Sequence, residues 1–145
     1  MTNRKRQRGS SLPETAIVMA VLLAMICGII DFGRALYTYG FVAQIARQGA
    51  RWAIVRGSQC TLLTDCNATE AQIQTYVQSL GYGFVIPSKI VVSAIWPTCP
   101  PGSSGNAPGC TVEVQVTYPF KFVLPWTSSL GQLNMSSTSE MVISQ

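Results

Sequence analysis

Positions 15–30 hold no charged residue, and beyond Asp31 the hydrophobic pattern changes instead of stopping. Phe32, Leu36, Tyr39, Ala43, Ala46, Ala50 and Ala53 recur at three- and four-residue steps, the repeat of one helix face. The pattern predicts one long helix over 10–56, with the apolar stretch as its first third. Its sixteen residues make roughly 24 Å of helix at 1.5 Å each, close to the depth of a bilayer. Phe32, Leu36 and Tyr37 extend the apolar surface past Asp31, and aromatic rings favour the membrane interface. A secretory signal peptide would end with its apolar stretch, and this helix does not. Alanine dominates the second half of the stripe, so another surface can approach closely. The chain's own sheet is the nearer candidate for that surface, and a neighbouring subunit is the other. Arg34, Arg47, Arg51 and Arg56 fall off the stripe and are expected on solvated faces.

The remaining 57–145 reads as one small exported domain. Gly57 is expected to end the helix, and a polar loop with Cys60 and Cys66 follows. Asn67-Ala68-Thr69-Glu70 has the form of a capping box with Asn as the cap, opening a short helix to about Leu80. Gly81 suits its stop. Residues 90–96 are β-rich, and 111–118 alternates cleanly, with Val112, Val114, Val116 and Tyr118 on one face. A Pro/Gly/Ser loop over 97–109 separates them, bracketed by Cys99 and Cys110. Positions 119–125 either bend away or continue at an edge, and 133–143 makes a last strand rich in Ser and Thr. The simplest solution is α+β: a sequential antiparallel sheet with the long helix laid across it.

Charge changes the picture at one end. Arg4, Lys5, Arg6 and Arg8 lie in a leader, 1–9, that holds no acid. Those four charges equal the whole net charge of +4, so the rest of the chain is neutral. A nucleic-acid surface needs a basic patch on the folded part, and none is visible. The cluster instead fits the cytoplasmic flank of a membrane segment under the positive-inside rule.

The chain contains no histidine and only six acidic residues, which excludes Ser-His-Asp, Cys-His and His-ligated metal chemistry. Asp65, Glu70, Glu113 and Glu140 form no recognisable carboxylate motif. No enzyme activity and no cofactor are expected. Cys60, Cys66, Cys99 and Cys110 read as two disulfides of an exported domain, with three connectivities open. The local pairing, Cys60–Cys66 and Cys99–Cys110, closes two polar loops and is preferred. Zinc is the rival, but the spacings do not resemble paired CxxC knuckles. Cys27, inside the apolar run, is read as a small apolar residue.

Glu14 stands out, because a carboxylate at the start of a bilayer helix is costly. Two readings are open. In one, Glu14 is a first-turn acid favoured by the helix dipole, with Pro13 suited to the same turn. In the other, it pairs with a free α-amino group on a neighbouring subunit after cleavage behind Gly9. Signal-peptidase cleavage is poorly served: bulky Ile26 precedes Cys27, and Gly33-Arg34-Ala35 lies well past the apolar segment.

Gly9-Ser10-Ser11-Leu12-Pro13-Glu14, the apolar run, Asp31-Phe32-Gly33-Arg34-Ala35-Leu36-Tyr37 and Ala46-Arg47-Gln48-Gly49-Ala50-Arg51 together resemble the TadE-like family, minor pseudopilins of tight-adherence (type IVb) pilus systems. The resemblance is densest from Gly9 to about Ala53. Residues 57–145 match in style only, as a disulfide-bearing β domain. Pro13 stands where the family often has Val, and Thr15 where an aromatic residue is common. The resemblance implies a pilin-like fold, cleavage by a prepilin peptidase between Gly9 and Ser10, and Glu14 as the processing and assembly glutamate. The partners it implies are that peptidase, pilus platform proteins, other pseudopilins and the major pilin. The location it implies is the bacterial inner membrane, N-terminus cytoplasmic, with a place in a surface pilus as a further option. The alternative is an unprocessed, membrane-tethered binding module unrelated to a pilus.

Overall fold

The computed structural model describes residues 11–103, 105–123 and 131–144. Helix α1, Ser11–Ile54, is unbroken through the change from apolar to amphipathic sequence. At 44 residues it is about 66 Å long. Pro13 lies in its first turn, where a missing N–H breaks no intrahelical bond. Helix α2, Glu70–Ser79, and a 3-10 turn, Pro87–Lys89, precede three strands. These are β1, Val91–Ile95; β2, Thr111–Phe120; and β3, Leu133–Val142. They form one antiparallel sheet in the order β1-β2-β3, so the fold is the expected α+β arrangement.

The alternation in β2 decides how the layers stack. Val112, Val114, Val116, Tyr118 and Phe120 are all buried, and helices α1 and α2 cover that face. Tyr118 pairs with Met135, Val116 with Ser137 and Val114 with Ser139, so two small residues of β3 lie on the helix side. On α1, Val42, Ile45, Ala46, Gly49, Ala50 and Ala53 meet them. Small residues on both sides bring helix and sheet close together. At Gly49 a side chain has no room: a Cβ there would lie 2.9 Å from Val77 Cγ2 and 3.3 Å from Val114 Cγ1.

Pro119 continues β2 opposite Asn134, but β1 ends its pairing at Thr117. The proline therefore lacks an N–H only where no strand flanks it on that side. Of the segment expected to bend or continue, 119–120 continues the strand, and 124–125 lies outside the described residues. Side chains of α2 meet the outer edge of β1: Gln78 Nε2 donates to the Ile90 carbonyl (3.1 Å), and the Ala94 N–H donates to Glu70 (3.4 Å).

Three local expectations need correction. Thr69, not Asn67, caps α2: its hydroxyl accepts the Gln72 N–H, and the Gln72 side chain accepts the Thr69 N–H at 2.8 Å. Asn67 instead takes a left-handed φ of 59° in the loop before the cap. Gly57 does not end α1, which stops three residues earlier at Ile54. The last carbonyls are met from outside, with Ser144 N–H and hydroxyl donating to Ile54 and the Ala68 N–H to Arg56. Two of the four arginines also leave the solvated face. Arg56 lies 4.2 Å over the Trp52 ring and donates to the Trp52 and Thr64 carbonyls. Arg34 lies over Phe84 and Phe120 at 5.8 and 5.5 Å.

Candidate functional site

The first half of α1 has no protein around it. Every large apolar side chain from Ile17 to Ile30 is exposed, on all sides of the helix. A helix apolar all round and unburied by its own chain needs a non-aqueous environment. It is long and apolar enough to be a candidate membrane span, consistent with an anchor. Glu14 lies in the first turn and is exposed, where a carboxylate offsets the positive end of the helix dipole. Gly9 and Ser10, the expected cleavage pair, and the leader 1–9 lie outside the described residues.

One feature of this segment went unnoticed in the sequence. Ala16, Ala20, Ala24 and Gly28 follow one another at four-residue steps, a small-xxx-small series of the kind that lets membrane helices approach. A Cβ added at Gly28 would meet nothing within 4 Å, so that side is open to a neighbour.

Where the apolar run ends, the helix is tied to its domain. Asp31 is buried although it is an acid. Its carboxylate accepts the Val123 N–H (3.0 and 3.3 Å) from beyond the end of β2, and accepts Arg34 Nη1 at 3.0 Å one turn along the helix. A buried carboxylate with a cation and a backbone donor has the partners that burial requires. Arg34 in turn fills the space between Phe84 and Phe120. Thr38, also buried, donates its hydroxyl to the Arg34 carbonyl at 2.8 Å.

The helix face that meets the domain is therefore rotated from the hydrophobic stripe over 31–39. Phe32, Leu36 and Tyr39 are exposed, whereas Asp31 and Thr38 face inward. Further along, Ala46, Ala50 and Ala53 are buried against the sheet and Ala43 is half-buried. Tyr37 packs edge-on to Phe84 (6.1 Å), and Phe41 edge-on to Tyr82 (5.2 Å). A hydrogen bond with the Tyr82 side chain raises the Tyr37 phenol above its ordinary value of 10.0.

At the far end of the domain, Cys60 pairs with Cys66 and Cys99 with Cys110, the local connectivity. Cys27 is free and exposed on the apolar segment. Among the described residues no three His, Cys, Asp or Glu side chains come together in a group able to hold a metal ion.

The family model for TadE-like protein matches residues 9–51. Comparison with curated proteins and with solved structures gives no match. The matched stretch opens at Gly9 and takes in the apolar segment, the Asp31–Arg34 pair and most of the sheet-packed alanines, so the similarity to TadE-like protein covers residues 9–51 of this chain.

Proposed function

We propose that the chain is a TadE-like pseudopilin: a non-catalytic, membrane-anchored component of tight-adherence pilus assembly, processed by a prepilin peptidase after Gly9. The observation that carries this reading is the match over 9–51, whose described part lies on one continuous helix, apolar all round in its first half. The TadE-like segment supports an association with the tight-adherence pilus. On this reading Glu14, in the first turn of the helix, pairs with the free amino group that cleavage creates on a neighbouring subunit. The small-residue series from Ala16 to Gly28 offers that neighbour a close approach. On this reading the exported domain acts through its surface. Its partners on this reading are the peptidase, the pilus platform, other pseudopilins and the major pilin, met in and above the bacterial inner membrane.

The test is complementation in the native host. A strain lacking the gene should lose surface fibres, regain them with the wild-type gene, and fail to regain them with Glu14→Ala. Undiminished fibres in the deletion strain would contradict the reading.

A further inference from the structure

The underside of the domain carries a second apolar surface, next to the helix that anchors it. Val123 is held by its N–H to Asp31, the first residue after the apolar run, so its height along the helix is fixed. Its side chain is 71% exposed. Phe84, which lies against the same Arg34 that pairs with Asp31, and Tyr82 belong to the loop between α2 and β1 and are 65% and 63% exposed. That loop is pinned: Val85 is buried, the Ile86 N–H donates to the Tyr118 hydroxyl at 3.3 Å, and Phe84 rests on Tyr37 and Arg34. Large rings held outward on a fixed loop have a non-aqueous neighbour.

Charge identifies that neighbour. The start of β1 and the end of β2 lie at this end of the sheet, and there the exposed ionic side chains are Lys89 and Lys121. The carboxylates lie elsewhere. Asp31 is paired with Arg34. Glu113 pairs across to Ile95 and Glu140 at the opposite end of the strands. Glu70 reaches Ala94, and Asp65 lies beside Gln72 near the start of α2. An aromatic and cationic underside, continuous with an apolar helix, matches the boundary of a phospholipid bilayer, where rings and lysines sit at headgroup level.

We propose that Tyr82, Phe84 and Val123, flanked by Lys89 and Lys121, seat the exported domain in the headgroup layer of the membrane that α1 crosses. The domain then lies on the bilayer instead of standing above it on a stalk. The inference rests on the reading that residues 15–30 span the membrane.

The test uses the full chain with its disulfides intact and Cys27→Ser, reconstituted in phosphatidylcholine vesicles with a minority of phosphatidylglycerol. Single cysteines carrying an environment-sensitive fluorophore are placed by Phe84→Cys, Val123→Cys, Ser93→Cys and Leu22→Cys. Quenching by headgroup-level nitroxide lipids should be several-fold stronger at 84 and 123 than at exposed Ser93. Position 123 is 71% exposed and lies outside the α2–β1 loop, so its label reports even if the change at Phe84 disturbs that loop. Quenching at 84 and 123 no stronger than at 93, with position 22 quenched from within the bilayer, would overturn the seating and leave the span intact. Position 22 open to aqueous iodide would overturn both.

Discussion

Asp31 accepts the main-chain N–H of Val123 across 92 positions of sequence. This bond sits where the apolar third of α1 gives way to the domain-covered part, and it fixes the end of the sheet to that point. Asp31→Ala removes the acceptor and leaves the Val123 N–H and the Arg34 guanidinium without it. The expected cost is about 1–3 kcal/mol for the unsatisfied donor, with more if Arg34 stays buried. Asp31→Asn keeps an acceptor and should lose less. Urea unfolding of the two variants, with amide exchange at Val123, checks this. Equal stability for Asp31→Ala and wild type would contradict the structural role.

Two helical glycines should respond with opposite sign. Gly40 has open space around it, so Gly40→Ala gains the usual helix preference of about 1 kcal/mol. At Gly49 the same change drives a methyl against Val77 and Val114, and overpacking costs about 1–3 kcal/mol. Gly49→Ala should therefore be less stable than wild type and Gly40→Ala more stable, read from thermal unfolding in the same detergent or vesicle.

Peptide mapping without reduction should recover Cys60 joined to Cys66 and Cys99 joined to Cys110, and no crossed pair. The sequence separations are 6 and 11 residues. Loop-closure entropy then assigns about 2 and about 3 kcal/mol to the two bonds. Cys110 is also buried at the start of β2, where the Thr111 N–H donates to Thr98. The double change Cys99→Ala with Cys110→Ala should lower the melting temperature more than the change of Cys60 and Cys66.

The elements were legible where period and burial agree. Strand β2 alternates because one face is covered by helices, and α1 is continuous because nothing between Pro13 and Val55 breaks it. The inward face over 31–39 was not legible, since two polar residues, Asp31 and Thr38, occupy it and a hydrophobic count passes over them. An acid followed three residues later by Arg at the end of an apolar run was the available signal. The α2 cap was misread because Asn67–Glu70 and Thr69–Gln72 both satisfy the capping-box spacing. Asn67 is drawn into the loop, where its carboxamide oxygen accepts from Asn106 Nδ2 at 3.2 Å and its left-handed φ is tolerable. The placement of Glu14 at the helix start was readable from Pro13 and the apolar run. The amino group proposed as its partner belongs to a second molecule, which no single chain displays.

The most direct measurement is intact mass and N-terminal sequencing of the protein from its native host. Prepilin-type processing gives a chain beginning at Ser10, with Gly9 replaced by a bulky residue abolishing that cut. A chain still beginning at Met1 would contradict prepilin-type processing and favour a membrane-tethered module, with Glu14 an ordinary interfacial residue.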